Sequence, residues 1–308
     1  MGPRSWRLVG AIAIASVVGA CAGGQAAPSS APSIAASPSA SAEARDWIRD
    51  IDVGGRTLSV ACVGPTDAGR PTVIFEGGLG GDRREWGDVL TALLATDRGC
   101  SYDRAGLGLS QPAPKPRTTE DQVDDLHSLL AAAGLKPPYV LVGHSLGGWN
   151  AMVYGGRYPD DVAGVVMVDV RPPAFSKESA AALPKETAGE SDALHQARAE
   201  ADFEKDPLKN PEGLDLIKSA AQAEATPGFG ALPLIVLTAG DRVAVTEGLP
   251  PTVAKDVDAI WMKLQTGLVG LSKNGRQEIV EGATHDMPAE KPDVVVKAIQ
   301  DVLGEAAG

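Results

Sequence analysis

Residues 138–153 read PYVLVGHSLGGWNAMV. A short apolar run, 139–142, leads into Gly-His-Ser-Leu-Gly, and a helical pattern follows it. A serine on a sharp turn between a strand and a helix projects its hydroxyl beyond the sheet, where a substrate can reach it. Gly143 and Gly147 give the backbone room for this turn, because a Cβ at either position would crowd a neighbouring element. The segment therefore predicts that Ser145 is a nucleophile.

The N-terminal segment has the composition of a secretory signal. Arg4 and Arg7 precede an uncharged apolar stretch, 8–18, which is too short to span a bilayer as a helix. Small residues and then Cys21 follow that stretch. The arrangement resembles the end of a bacterial lipoprotein signal, in which the cysteine carries the lipid. Residues 1–21 are therefore predicted to be a signal peptide, with Cys21 as the lipidated residue.

Cleavage of an ordinary secretory signal in the Ala-rich stretch after Gln25 is the alternative, and both interpretations place the mature protein outside the cytoplasm. Residues 22–45 are almost entirely Ala, Ser, Pro and Gly. Such a segment buries too little apolar surface to offset its ordering entropy, so it is predicted to be a flexible tether. The expected location is the outer face of the bacterial cell membrane through a lipid anchor, or otherwise secretion.

Residues 46–308 have the length of one large α/β domain. The formal net charge of −12 argues against nucleic acid and against an anionic membrane surface as partners. The expected partner is a small-molecule acyl ester, with the membrane reached only through the N-terminal lipid. The sequence leaves the oligomeric state undetermined.

The chain has three cysteines. If Cys21 is lipidated, Cys62 and Cys100 remain as a pair in an oxidising compartment, which predicts a disulfide between them. Two buried thiols are the alternative interpretation.

Strand-like apolar runs alternate with helical patterns along the domain. This order predicts an α/β fold with a mainly parallel sheet covered by helices on both faces. Residues 174–231 interrupt the alternation with a polar stretch rich in Ala, Glu and Lys. They are predicted to form a small helical cap over the carboxyl ends of the strands, the edge at which open α/β sheets bind ligands.

Four motifs in a fixed order make this chain similar to the α/β-hydrolase superfamily, and in particular to its serine-esterase-like branch. They are the glycine-rich stretch 77–81, the YDRAGLGLS stretch 102–110, the elbow 143–147 and the GATH stretch 282–285. The resemblance implies an eight-stranded sheet whose second strand is antiparallel and lies beside the fourth. That arrangement would put Cys62 and Cys100 on neighbouring strands, in agreement with the predicted disulfide.

His285 is the predicted catalytic base, because it lies between the last strand and the last helix, where the family has its histidine. A surface-loop histidine is the alternative. The remaining three histidines have other interpretations. His127 packs on a helix or is solvated there, and His144 packs with its side chain away from the Ser145 hydroxyl. His195 is solvated in the insertion, with a substrate-facing role as the alternative.

Two aspartates are candidates for the acid, since the chain order Ser…Asp…His fits both. Asp241 follows the strand at 232–239, the usual family position, although the usual spacing is about one residue longer and would place the acid at Arg242. Asp169 ends the preceding strand, where a subset of the superfamily has its acid. Either carboxylate would accept a hydrogen bond from Nδ1–H of His285.

The oxyanion hole requires two N–H donors. One is predicted at Leu146, the residue after the nucleophile. The family takes the second from the loop after the third strand, which corresponds here to Leu79 or, with a shift of one residue, to Gly78. The chain has Glu76 where the family has a histidine, and this leaves the groups that support the loop open.

The predicted activity is cleavage of carboxylic esters by a serine hydrolase through an acyl-enzyme. Peptide cleavage, acyl transfer and cofactor-free peroxidation are alternatives, as is a non-catalytic envelope-binding protein of the same fold. A serine in the elbow argues against the dehalogenases and epoxide hydrolases of the superfamily, which have aspartate there. The sequence has no metal-ligand spacing, phosphate loop or dinucleotide fingerprint, so no metal and no cofactor are expected.

Overall fold

The computed structural model describes residues 46–66, 69–242 and 246–307. The predicted signal peptide, Cys21 and the tether 22–45 lie outside the described residues. The strands are β1 Trp47–Asp52, β2 Thr57–Val63, β3 Thr72–Glu76, β4 Gly99–Tyr102, β5 Tyr139–His144, β6 Val162–Val168, β7 Pro233–Ala239 and β8 Asn274–Val280. The helices are α1 Gly87–Leu93, α2 Thr119–Ala132, α3 Gly147–Arg157, α4 Phe175–Ala182, α5 Asp192–Phe203, α6 Leu216–Glu224, α7 Pro251–Leu268, α8 Met287–Glu290 and α9 Pro292–Ala306.

The strands form one eight-stranded sheet in the order β1-β2-β4-β3-β5-β6-β7-β8. β2 pairs antiparallel with both β1 and β4. All the remaining pairs, from β4–β3 across the sheet to β7–β8, are parallel. This is the predicted α/β-hydrolase architecture, including the antiparallel second strand beside the fourth. β5 lies near the middle of the sheet, so the serine that follows it emerges between neighbouring strands.

Helices cover both faces of the sheet because β5 is apolar on both sides. Tyr139 and Leu141 belong to a buried cluster that includes residues of α2 and α3. Val140 and Val142 belong to a second cluster with residues of α1 and α9. The side chains of a strand alternate between faces, and a strand buried on both reads as a continuous apolar run.

Helix α2 begins where its sequence predicts. The Thr118 side chain accepts from the N–H of Asp121, and the Asp121 carboxylate accepts from the N–H of Thr118, which completes a capping box. Its buried face includes Val123, Leu126 and Leu129.

The insertion 174–231 contains α4, α5 and α6. Its last part is integrated into the main core, because Leu214 and Ala223 are fully buried in the cluster that contains α2 and α3. Within the described ranges, no helix combines the length and apolar character needed to cross a membrane.

Cys62 and Cys100 face each other across the β2–β4 pair and are joined by a disulfide, as predicted. The two residues are separated by 38 positions in the chain.

Candidate active site

Ser145 occupies a strained turn between β5 and α3. Its φ angle is +51°, a conformation that residues with a side chain rarely adopt. A Cβ on Gly147 would lie 2.3 Å from the backbone oxygen of Glu76, and one on Gly143 would lie 2.7 Å from Cα of Gly148. Only glycine therefore fits at these two positions, which is the steric reason for the motif.

His285 connects Ser145 to an aspartate. Its Nε2 lies 2.9 Å from Oγ of Ser145, and its Nδ1 lies 2.6 Å from Oδ2 of Asp169. Asp169 is fully buried, and its other oxygen, Oδ1, accepts from the N–H of Ala239 at 3.0 Å. The donation from Nδ1–H to Asp169 leaves Nε2 free to accept the serine proton.

The two candidate aspartates lie in different surroundings. Asp169 directly follows β6, the strand that pairs with β5, and its φ angle is +38°. Asp241 follows β7, one strand further from the serine, and its side chain is exposed while its N–H donates to the carbonyl of Ala283. The carboxylate at hydrogen-bond distance from Nδ1 of His285 is that of Asp169.

The glycine-rich loop 77–81 lies against Ser145, since a Cβ on Gly78 would come within 3.4 Å of Cβ of Ser145. The N–H of Gly78 already donates to the carboxylate of Glu85 at 3.0 Å. Within the described part of the chain, no acceptor contacts the N–H groups of Leu79 and Leu146. Both of these backbone donors are therefore open.

A buried ion pair between Arg104 and Glu212 supports the glycine-rich loop 77–81. The Arg104 guanidinium donates to the carbonyls of Gly77 and Gly78 at 2.7 and 2.5 Å. It also donates from Nε to Glu212 at 2.8 Å, and Glu212 accepts from the N–H of Gly80 at 2.8 Å. The Arg104 charge and these hydrogen bonds outweigh burial and lower the pKa of the Glu212 carboxyl.

Glu76 lies beneath this loop. It accepts from the Tyr102 hydroxyl at 2.6 Å and from the Asn150 amide at 2.9 Å. Burial raises the pKa of Glu76, although the Arg104 charge and the hydrogen bonds from Tyr102 and Asn150 oppose that rise. Glu76 therefore links β3 to β4 and to α3, the helix that follows Ser145.

His144 is more than the packing residue that its position suggested. Its Nδ1 lies 2.5 Å from Oε1 of Glu85, and its Nε2 lies 2.8 Å from the backbone oxygen of His285. Because both partners are acceptors, the ring is fully satisfied when both nitrogens carry a proton. Burial lowers the pKa of His144, but the Glu85 hydrogen bond and charge outweigh it, so the net shift is upward.

The other two histidines lie away from Ser145. The His127 ring stacks on Tyr158 with centroids 3.9 Å apart, and His195 is exposed on α5.

The cavity at Ser145 has walls that the sequence analysis missed. Besides Ser145 and His285, it is lined by Arg171, Phe175, Arg242 and Trp261. The usual family spacing after β7 places an acid at position 242, where this chain has arginine. No local pattern indicates that Arg242 faces Asp169. Among the described residues, no group of three or more His, Cys, Asp or Glu side chains is arranged to hold a metal ion.

The sequence profile of the Alpha/beta hydrolase family matches residues 73–298. The chain belongs to the alpha/beta hydrolase family. The matched region runs from β3 into α9, so it includes Ser145, Asp169 and His285.

Three individual similarities agree with this family. An uncharacterised protein of Bacillus subtilis, YqjL, is 27% identical over 232 residues, which are 75% of this chain and 83% of that protein. A putative lipase of Acinetobacter baumannii has a TM-score of 0.57 and 20% identity, covering 85% of this chain and 92% of that structure. An esterase of Thermogutta terrifontis has a TM-score of 0.56 and 21% identity, covering 86% of this chain and all of that structure, 100%. At these identities the two solved structures demonstrate a shared fold.

Proposed function

We propose that this alpha/beta hydrolase cleaves carboxylic esters, with Ser145 as nucleophile, His285 as general base and Asp169 as the acid of the triad. The observation that supports the proposal is the continuous chain of contacts from Oγ of Ser145 to Nε2 of His285, at 2.9 Å, and from Nδ1 of His285 to Asp169, at 2.6 Å. A nucleophile, a base and a group that orients the base are the elements of acyl transfer by serine.

The reaction proceeds in two halves. Oγ of Ser145 attacks the ester carbonyl while Nε2 of His285 takes the serine proton, and the C–O bond to the alcohol breaks as the alcohol receives that proton. Water then attacks the acyl-enzyme with the same histidine as base, which releases the carboxylic acid and restores the serine. Asp169 stabilises the imidazolium in both halves.

The backbone N–H groups of Leu146 and Leu79 are the proposed oxyanion donors. The N–H of Gly78 is less suited to this role, because it donates to Glu85. Removing one such donor typically costs about 2.7–4 kcal/mol of transition-state stabilisation. The helix α3, which begins at Gly147, directs its positive end at the same place.

Labelling with a fluorophosphonate, combined with hydrolysis of p-nitrophenyl acetate, tests the proposal. The wild-type protein is expected to be labelled at Ser145 and to hydrolyse the ester. Ser145→Ala is expected to lose both properties and His285→Ala most of the activity, whereas His127→Gln serves as the histidine control and keeps both. A wild-type protein that is neither labelled nor active would instead support the non-catalytic binding protein.

We also propose that the domain is extracytoplasmic and anchored through a lipid on Cys21. The Cys62–Cys100 disulfide supports an oxidising compartment. In a bacterial host, the full-length protein is expected in the membrane fraction, and Cys21→Ala is expected to move it to the soluble fraction. If the Cys21→Ala protein stays with the membrane, the anchor is not at this cysteine.

A further inference from the structure

Two arginines line the cavity at the nucleophile, although ester hydrolysis itself requires no cation there. The cavity has a volume of about 90 Å³ and is lined by Ser145, His285, Phe175 and Trp261. The rings of Phe175 and Trp261 contact each other, with centroids 4.9 Å apart. Arg171 and Arg242 complete its wall. Both arginines therefore line the same cavity as the hydroxyl of Ser145, where they can meet a second polar group of a short ester bound there.

Arg242 is buried, and not every N–H group of its guanidinium has an acceptor. Its side chain is 8% exposed and its guanidinium lies 3.9 Å from the centroid of the Trp261 ring. The carboxylate oxygens that face it, on Asp169 and Asp258, are each 3.7 Å from a guanidinium nitrogen, which is beyond hydrogen-bond distance. In the part of the chain that the structure describes, Nε of Arg242 has no acceptor.

Neither of the two carboxylates that face Arg242 makes a hydrogen bond to it. Asp169 accepts from His285 and from the N–H of Ala239. The Asp258 side chain is 44% exposed, but its Oδ1, which faces Nε of Arg242, is buried and has no hydrogen-bond partner among the described residues. A buried guanidinium without an acceptor is costly, and a planar carboxylate is the acceptor that its geometry fits best.

Arg171 differs, because one of its nitrogens already has two acceptors and the side chain is 32% exposed. Its Nη2 donates to Glu204 at 2.5 Å and to Ser176 at 2.8 Å. It therefore adds positive potential to the cavity wall, while Arg242 offers the N–H groups that can bind a ligand.

We propose that Arg242, assisted by Arg171, binds a carboxylate on the substrate, so that the preferred substrate is a short ester whose acyl part ends in a carboxylate. The half-ester of a small dicarboxylic acid is the simplest compound of this class. The inference rests on the proposed hydrolysis at Ser145. A carboxylate subsite also gives a reason for two arginines in the cavity. The chain has a net charge of −12 and would repel an anionic substrate, whereas the two arginines make the cavity locally attractive to it.

The test compares two esters of the same shape at pH 7.5 in a pH-stat. Monoethyl glutarate carries the carboxylate, and ethyl 5-amino-5-oxopentanoate is its neutral amide counterpart. The wild-type protein is expected to prefer monoethyl glutarate at least about tenfold in kcat/KM, which corresponds to ~1.4 kcal/mol. In Arg242→Gln the ratio of the two values is expected to fall to about one, and in Arg242→Lys to an intermediate value. Arg276→Gln, a half-buried surface arginine on β8, is the control and keeps the wild-type ratio.

A second readout does not require turnover. Glutarate is expected to protect Ser145 from the fluorophosphonate in the wild-type protein and not in Arg242→Gln, while glutaramide protects neither. This assay on the wild-type protein and Arg242→Lys decides the matter if Arg242→Gln does not fold.

Three outcomes would overturn the inference. Equal rates for both esters, together with no protection by glutarate, would leave the proposed hydrolase intact and remove the carboxylate subsite. An equal fall in both rates in Arg242→Gln, with the wild-type ratio unchanged, would make Arg242 a positioning residue that acts through Asp169. A wild-type protein with neither turnover nor labelling at Ser145 would overturn the proposed function and the inference together.

Discussion

Ser145 and Asp169 share a backbone conformation that is uncommon for residues with a side chain. Their φ angles are +51° and +38°, and each follows directly on a neighbouring parallel strand. Such conformations cost of order 1–3 kcal/mol each and persist only where the surrounding structure holds them. Hydrogen bonds from Ser145 N–H to Val168 and from Asp169 N–H to Leu237 provide that support.

The first prediction at this scale distinguishes the two aspartates. Asp169→Asn is expected to lower kcat for ester hydrolysis by about ten-thousandfold, because an amide can no longer hold His285 in the tautomer that accepts from serine. Asp241→Asn is expected to stay within about twofold, as surface substitutions usually do. The steady-state rate of p-nitrophenol release at saturating ester measures kcat in both variants. A large loss in Asp241→Asn with little change in Asp169→Asn would reverse the assignment.

The second prediction concerns His144 and Glu85. The pKa of His144 is raised above its ordinary value of 6.5. A raised pKa in the folded state adds stability that is fully present below the unfolded pKa and is lost as pH rises through the folded pKa. Glu85→Gln removes the charge that raises it, so its free energy of unfolding should fall furthest below wild type near pH 6.

Urea unfolding between pH 6 and pH 9.5 measures this difference, and the gap between the wild-type protein and Glu85→Gln should narrow as pH rises. Glu85→Gln keeps an oxygen that can accept from the N–H of Gly78. A gap that stays constant over the whole range would show that the charge on His144 contributes nothing to it.

At the scale of elements, two segments hold the loop 77–81: the residues that follow β4 and the insertion 174–231. Arg104 follows β4, and Glu212 belongs to the insertion; their side chains are only 3% and 2% exposed. Removal of one member of a buried ion pair leaves the other charge uncompensated. Arg104→Met should therefore destabilise the protein by about 3–5 kcal/mol, and kcat should fall because the carbonyls of Gly77 and Gly78 lose their donor.

The double variant Arg104→Met/Glu212→Gln is compared with Arg104→Met, because it also removes the Glu212 charge that the single variant leaves without a partner. We expect it to regain part of the lost stability in urea unfolding while kcat stays low. Arg276→Gln, at a half-buried surface position, is the control and should change stability by less than about 1 kcal/mol. If the double variant is as unstable as the sum of the two single variants, the two charges are not coupled.

At the scale of the whole molecule, the disulfide crosslinks the antiparallel end of the sheet. Closing a loop of this length restricts the unfolded chain and adds roughly 3–4 kcal/mol of stability in the chain-entropy model. Cys62→Ala/Cys100→Ala, or reduction with dithiothreitol, should lower the free energy of urea unfolding by about that amount. Fluorophosphonate labelling of Ser145 should persist below the melting temperature, because β3 separates the disulfide-bearing β4 from β5. Loss of labelling in the folded, reduced protein would contradict this.

The sequence by itself determined the turn at Ser145 and the sheet, for physical reasons that are local, and it predicted His285 as the base. The turn at Ser145 depends on two glycines that no other residue can replace at contacts of 2.3 and 2.7 Å. The alternation of apolar strands and helices requires a sheet covered on both faces, and the resemblance of four ordered motifs gave the antiparallel second strand.

Only the tertiary structure decided which carboxylate contacts His285 and which N–H groups near Ser145 have no acceptor. It also decided that Arg242 lines the cavity at Ser145 and that Glu212 supports the loop 77–81. Asp169 and His285 are 116 residues apart, and Arg104 and Glu212 are 108 apart. Contacts at such separation depend on strand order and on loop paths, which a local pattern does not encode. Asp169 contacts the histidine because it follows β6, the strand that pairs with the strand of the serine, whereas Asp241 follows a strand one place further away.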